Sequence, residues 1–380
     1  MKFMIHGGIL SRTLQSISGV VPSGKTLPIL LNYCVKYKKD NALVITASDL
    51  ETTISVKLDL DNIDTSGIKE VAIPAKIFSE VVGSLSNQQL IIDIKEDYSI
   101  EIKADSGVYN LVGESAETYP AEITLENAEK SVFSSSVMSK AISKTIFATD
   151  ATGIRPQMSG VLCEQSAEGT VFVATDAHKL VKYTRTDCKH DEAKSFILPR
   201  KTLSFLNKLL ASKAEDIDVV WYNNINNIRF EFDNYCVVSR LIDGKYPNYN
   251  MAIPKNNPNK LIIDRNMLYD SVKRVSYFAN PATNQEVFTL SENTLVLSAQ
   301  DSDLSTQATE KLSCNYQGED MEIGFNANFL LEMLNNVDSE LVIIELSSPD
   351  RAGIILPYEE EAKESEENIL MLVMPVMLIN

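Results

Sequence analysis

Hydrophobic and polar residues alternate over many short stretches of this chain. In Leu90–Ile94, Ser99–Lys103 and Ile228–Phe232 the period is two, which predicts antiparallel strands with one face turned inward. Elsewhere the spacing is helical. Val137, Ala141, Ile142, Thr145 and Ile146 share one face and predict a helix over about 134–147. Amphipathic helices are likewise predicted at about 8–20 and 264–279.

Three kinds of segment recur in the same order at a spacing of roughly 125 residues, the mark of a repeated domain. A strand ending in a polar turn reads Leu43-Val44-Ile45-Thr46-Ala47-Ser48-Asp49-Leu50. It returns as Val171-Phe172-Val173-Ala174-Thr175-Asp176-Ala177-His178 and as Leu295-Val296-Leu297-Ser298-Ala299-Gln300-Asp301-Ser302. A helix start follows a short strand at Ile73-Pro74-Ala75-Lys76, Leu198-Pro199-Arg200-Lys201 and Phe325-Asn326-Ala327-Asn328. Proline is expected at the first helical position of the first two, and Asn326 as the cap of the third. Closing segments are Glu117-Thr118-Tyr119-Pro120, Gly244-Lys245-Tyr246-Pro247 and Val373-Met374-Pro375. Each unit should hold two helices and about eight strands. The expected fold class is α+β in triplicate, each unit with two helices backed by antiparallel sheet, divided at 1–126, 127–253 and 254–380.

Charge changes this picture. The 380 residues carry a net charge of −17, which opposes binding to phosphate if evenly spread. It is not evenly spread. The predicted helices hold the basic residues Arg12, Lys76, Lys140, Lys144, Arg200, Lys201, Lys208, Arg265, Lys273 and Arg274, against the acidic Glu80, Asp264, Asp270 and Glu332. Lys140 and Lys144 share a face, as do Lys201 and Lys208. Basic helices on an acidic protein suit a surface that follows a phosphate backbone without reading bases.

The remaining features narrow the chemistry. Five scattered cysteines without a CxxC pair predict neither a disulfide framework nor a zinc site, and a reducing cytoplasm as the setting. The N-terminus has no leader pattern, and the apolar stretch Ile369–Ile379 is too short to span a bilayer and contains Pro375. Gly19-Val20-Val21-Pro22-Ser23-Gly24-Lys25-Thr26 fits a P-loop pattern, but a helix precedes it and an extended segment follows, the reverse of what a phosphate cradle needs. Asp176 and His178 suggest acid–base chemistry, yet no nucleophile motif accompanies them. The acidic run Glu359–Glu367 reads as a solvated loop. The tail after it, with Met371, Met374 and Met377, reads as a last core strand or as an adaptable pocket lining.

Several longer stretches complete the pattern: Met1-Lys2-Phe3, Thr26-Leu27-Pro28-Ile29-Leu30, Ser48-Asp49-Leu50-Glu51 and Val173-Ala174-Thr175-Asp176-Ala177-His178-Lys179-Leu180. Leu198-Pro199-Arg200-Lys201, Ser239-Arg240-Leu241-Ile242-Asp243-Gly244-Lys245-Tyr246-Pro247, Met321-Glu322-Ile323-Gly324-Phe325-Asn326 and Val373-Met374-Pro375 follow in order. In these the chain resembles the bacterial DNA polymerase III beta subunit family, the processivity clamps, over essentially its full length. The resemblance implies three similar domains per chain and two chains head-to-tail in a ring around duplex DNA, its inner wall made of the helices. It implies no catalysis, metal or cofactor. Expected partners are the replicative polymerase, the clamp loader and other proteins with a clamp-binding linear motif.

Carried over by position, the resemblance implies DNA-facing residues Lys25, Lys76, Thr152, Arg155, Arg200 and Lys201. It also implies a partner cleft between the second and third domains, formed by Met158, Thr175, His178, Lys179, Leu180, Pro247, Leu372, Met374, Pro375, Val376 and Met377. The chain departs from the family pattern at Ala177, where glycine is usual, and at Lys179, where arginine is usual. Met251 and Met377 also stand in place of arginines, so a more apolar pocket is expected.

Overall fold

The computed structural model describes residues 1–24, 27–39, 41–61, 63–64, 67–360 and 365–378. Among them are six α-helices in three pairs: α1 (Gly7–Ser18) and α2 (Ala75–Ser84), α3 (Ser135–Thr145) and α4 (Arg200–Ala211), α5 (Arg265–Ser276) and α6 (Ala327–Leu334). Each turns an apolar stripe inward. On α1 this stripe is Leu10, Leu14 and Ile17, all fully buried. On α3 it is Met138, Ala141, Ile142 and Thr145, while the predicted Val137 is only half-buried and Ile146 lies beyond the helix in a short 3₁₀ turn.

Pro74 and Pro199 do not occupy the first helical position. Each is the last residue of the preceding strand, pairing with Asn32 and Gly160 respectively, and the helix opens one residue later. The proline is still extended there, and its missing N–H removes no ladder bond at the strand's end. Asn326 caps α6 as expected, its side chain accepting from the N–H groups of Asn328 and Phe329 at 3.0 and 3.4 Å.

The triplication is legible atom by atom. The first residue of each leading helix donates its N–H to the loop after the second helix: Gly7 to Gln88 O, Ser135 to Ile217 O and Arg265 to Glu340 O, at 2.8, 2.7 and 2.8 Å. Each closing segment bridges back to the strand before the second helix, at Ala72 with Glu114, Ile197 with Ile242 and Gly324 with Val376.

The chain forms two compact units, residues 1–139 with 204–241, and residues 140–203 with 242–380. Their boundary runs through the second repeat, because the sheets do not end where the repeats end. In the first unit the strand Thr52–Asp59 pairs with Tyr235–Arg240, joining the first repeat to the second in an eight-stranded sheet. In the second unit Lys179–Arg185 pairs with Glu367–Val373, joining the second repeat to the third in a nine-stranded sheet. These are the same seam made twice. Among the strands that correspond in order to these seam strands, two lie at sheet ends: Gly107–Val112 ends the five-stranded sheet of the first unit, and Thr306–Ser313 ends the four-stranded sheet of the second.

The turn entering each seam has a fixed construction. Asp49 Oδ1 accepts from the N–H groups of Glu51 and Thr52, and Asp176 Oδ1 from those of His178 and Lys179. Ser48 Oγ and Thr175 Oγ1 each accept from the residue two further on. This winding forces that residue left-handed, with φ of 77° at Leu50 and 76° at Ala177. A side chain at such a position clashes with its own carbonyl, by roughly 1–2 kcal/mol.

Among the described residues a few buried polar side chains lack a partner, and the one that can carry charge on both unpaired atoms is a glutamate. Glu286, on the strand Gln285–Ser291, is fully buried and neither carboxylate oxygen has a hydrogen-bond partner. Burial, with a smaller contribution from the nearby Glu310 charge, pushes its carboxyl up to about 8. Glu310 itself is neutralised by Arg274 and bonded by Ser271.

Two predictions follow from these local features. A raised folded-state value means that Glu286 contributes stability below the ordinary glutamate range and loses it as pH rises through about 8. Unfolding free energy should therefore carry a downward component of about 1.4 kcal/mol per pH unit between about 5 and 8. In urea titrations Glu286→Leu should lack that component and be the more stable protein at pH 9; parallel curves for the two proteins would show the group is not titrating. Separately, Ala177→Gly should raise stability by about 1 kcal/mol by relieving the left-handed strain, and an unchanged urea midpoint would show the turn is unstrained.

Candidate functional site

The residues that the resemblance assigns to a partner cleft all lie in the second unit, and most converge on its seam. Leu180 and Leu372 face each other across the ladder and are nearly fully buried. They join one apolar cluster with Leu162, Val173, Tyr246 and Tyr249. This is the floor. Thr175 is part of it rather than of the surface, its N–H donating to Tyr246 Oη at 3.1 Å and its hydroxyl to Lys179 O at 2.7 Å.

The walls are built from the turn and the tail. The chain leaves the buried strand at Val373, and Met374 N donates to His178 O at 2.8 Å. Val376 then pairs with Gly324, and Gln285 Nε2 reaches Met377 O at 3.4 Å. Gly324 suits that close approach, since a Cβ there would stand 2.6 Å from Val376 O. The tail changes character along its length: Met371–Val373 are core, as a last core strand requires, while Met374 and Met377 are exposed at 39% and 71%. His178 is exposed, Pro247 and Met158 are half-buried, and Met251 stands out from the adjoining loop at 84% exposure.

Sequence reasoning missed Phe329 and Glu332 on α6. The Phe329 ring stacks on His178 at 6.3 Å, and Glu332 bonds to Lys179. Their spacing of three places them on one helix face, the only signal the sequence offered. Tyr246 was visible as part of a recurring closing segment, but not as the acceptor of the Thr175 N–H in the floor.

Thr152, Arg155 and Arg200, assigned to DNA, line one pocket of about 380 Å³ together with His178 and Lys179. Arg155 Nη1 donates to Asp176 O at 3.3 Å, and Thr152 bonds to Asp150 through both its hydroxyl and its N–H. Those bonds from Thr152 hold the Asp150 carboxyl below the usual range. Lys76 and Lys201 are exposed, each the second residue of its helix. Lys25 lies outside the described residues, as do residues 361–364 of the acidic run.

The basic helix faces need correction. Lys144 is buried and bonded to Asp338 and to Asn336 O, and Lys140 pairs with Asp338 and Glu367. Burial resists ionisation of Asp338 and Glu367, but these bonds outweigh it and hold both carboxyls low. Arg274 is taken by Glu310, and Arg265 donates to Ser339 O and Leu334 O. Helix composition reports which charges are present; it does not report acids that arrive from other elements. Arg12, Lys76, Lys201, Lys208 and Lys273 are exposed helix cations.

The tempting catalytic patterns dissolve in this geometry. Gly19 caps the end of α1, and a 3₁₀ turn (Pro28–Leu31) and a strand (Asn32–Lys38) follow, so the P-loop pattern lacks its strand–loop–helix frame. The Asp176 carboxylate is spent on the turn backbone and Lys179, not on orienting His178. Burial raises the Cys34 and Cys236 thiols to about 12 and Cys188 to about 11, away from nucleophilic thiolate.

Comparison with known proteins agrees over the whole length. The DNA polymerase III beta subunit matches three times: its N-terminal domain at residues 1–124, its central domain at 133–248 and its C-terminal domain at 250–375. A beta sliding clamp of Staphylococcus aureus is 25% identical over 384 residues, with 99% of each chain covered. The structure of the DNA polymerase III subunit beta from Pseudomonas aeruginosa is similar at a TM-score of 0.91 and 25% identity, covering 100% of both chains. The DNA polymerase sliding clamp of Bacillus subtilis, 23% identical, shares the fold at a TM-score of 0.90. With three successive domains matched in order, this chain belongs to the DNA polymerase III beta subunit family, the sliding clamps.

Proposed function

We propose that two copies of this chain close head-to-tail into a ring around duplex DNA, and that the ring tethers the replicative polymerase, the clamp loader and other proteins carrying a clamp-binding motif. The family is one of accessory subunits without catalysis. The observation that carries the ring is the pair of edges left over after two equivalent seams. Thr306–Ser313 stands in the third repeat where Thr52–Asp59 and Lys179–Arg185 stand in the first and second. Gly107–Val112 is the first repeat's counterpart of Tyr235–Arg240 and Glu367–Val373. A third seam of the same kind therefore needs the first repeat of one copy and the third repeat of another. Val108 and Val112 on the first edge, with Tyr277 beyond α5, are exposed apolar groups that such a seam would cover. The division at 1–126, 127–253 and 254–380 is supported by the three recurring backbone bonds at the helix starts.

Within the ring, Lys76, Arg155, Arg200 and Lys201, with Lys25 and Thr152, would face the phosphates and the seam cleft would take partner segments. Lys76 and Lys201 are equivalent positions, and cations there give a nonspecific grip. Such work belongs in the cytoplasm of a bacterium, where the chromosome is. No helix among the described residues is long and apolar enough to cross a membrane.

Light scattering on a sizing column should give a mass near twice 42.2 kDa, and Val108→Asp with Val112→Asp should return the folded single chain. A wild-type monomer at micromolar concentration would sink the ring. Retention on circular DNA, lost on linear DNA of equal length, should accompany the larger mass. Lys76→Ala and Lys201→Ala should each flatten the salt dependence of DNA affinity by about one unit of slope, and unaltered slopes would remove these residues from the DNA face. Deleting the chain after Val373 spares the buried strand and should weaken apolar motif peptides about tenfold or more. Equal affinity in that folded variant would sink the cleft.

A further inference from the structure

Lys179 is placed in the cleft by resemblance, yet its ammonium is already engaged within the protein. The residue is 5% exposed. Its Nζ bonds to Glu332 on α6 and lies 3.7 Å from Asp176 Oδ2. The Phe329 ring centre stands 4.7 Å away and that of Phe147 5.9 Å. An ammonium with two carboxylates and two aromatic faces around it is already solvated by the protein, and withdrawing it toward a ligand would leave buried charge unpaired. The two carboxylates are not alike. Asp176 also holds the turn backbone, whereas the Glu332 side chain is 44% exposed and its carboxylate bonds to Lys179 alone.

Resting on the cleft reading above, we propose that Glu332 is a specificity-determining residue. By holding Lys179 inward it withholds a cation from the docked segment, so the cleft does not read an acidic residue of its partner at this point in the wall. The segment lying over the Thr175–Lys179 turn is then uncharged or apolar, in keeping with the exposed methionines Met374 and Met377 opposite. Arg155 lines the same pocket and is bonded to Asp176 O, so any attraction it exerts on acids is common to every variant.

The test compares ratios, which removes that general attraction. Acetylated pentapeptides of leucine and phenylalanine, carrying one Asp or one Asn at each central position in turn, are titrated calorimetrically into the full chain. Glu332→Gln frees the Lys179 ammonium and should raise the Asp-to-Asn affinity ratio about threefold to fivefold, the size of a partly exposed ion pair. Adding Lys179→Met to it should abolish that rise and return the ratio to the wild-type value. A raised ratio that persists in the double variant would show that the released cation is not Lys179 and would overturn the proposal. So would Glu332→Gln that weakens both peptides equally, which marks a purely structural wall. If wild type binds neither peptide at any position, the cleft reading itself fails and takes the proposal with it.

Discussion

A strand at the edge of a sheet exposes a row of backbone N–H and C=O groups, and the need to pair those rows shapes this molecule at every scale. Each repeat carries one strand that seeks a partner at its start and one at its end. Within the chain the demand is met twice, by Thr52–Asp59 on Tyr235–Arg240 and by Lys179–Arg185 on Glu367–Val373. The arithmetic of three repeats in a line leaves one row of each kind unmet. The closure proposed above would use the same interaction that holds one repeat to the next, and a homodimer would be its simplest complement.

The features written into local order were legible from the sequence. Alternation in Leu90–Ile94 and Ile228–Phe232 gave strands because a pleated strand turns successive residues to opposite faces. Helix starts were legible to within a residue, Asn326 as a cap included. The seams were not legible, since periodicity states which face a strand buries and says nothing of which strand lies beside it. Thr52–Asp59 finds a partner in the next repeat, and no local pattern encodes that separation. The cleft was named only through resemblance. Its side walls, Phe329 and Glu332, come from a helix whose apolar stripe looks like any other core stripe.

The charge argument illustrates the same limit. Lys140, Lys144, Arg265 and Arg274 looked like a basic helical surface, but acids and carbonyls from other elements consume them. The exposed cations follow the repeats unevenly. The second residue of the second helix is Lys76, then Lys201, then Asn328. Two repeats carry a cation there and the third a neutral amide. A sliding surface has no need of a dense cationic lining. Weak, replaceable phosphate contacts let DNA move, and linkage rather than affinity prevents its loss.

The two seams also show how the proposed cleft would need no special scaffold. Both are entered by the same Asp-centred turn, and both are closed by the same backbone bond: Arg240 N to Glu51 O in the first, Met374 N to His178 O in the second. The backbone is therefore not what distinguishes the cleft. At the first seam the turn presents Leu50 and Glu51, and the chain past Arg240 continues into the next repeat. At the second it presents Ala177 and His178, and the strand continues past Val373 into the exposed Met374 and Met377. His178 stacks on Phe329, and Val376 pairs with Gly324, so the segment after the seam is held against the third repeat by backbone bonds while its methionine side chains stay exposed. The two seams share one backbone plan and differ in the side chains set around it, which is where any difference in what they bind must lie.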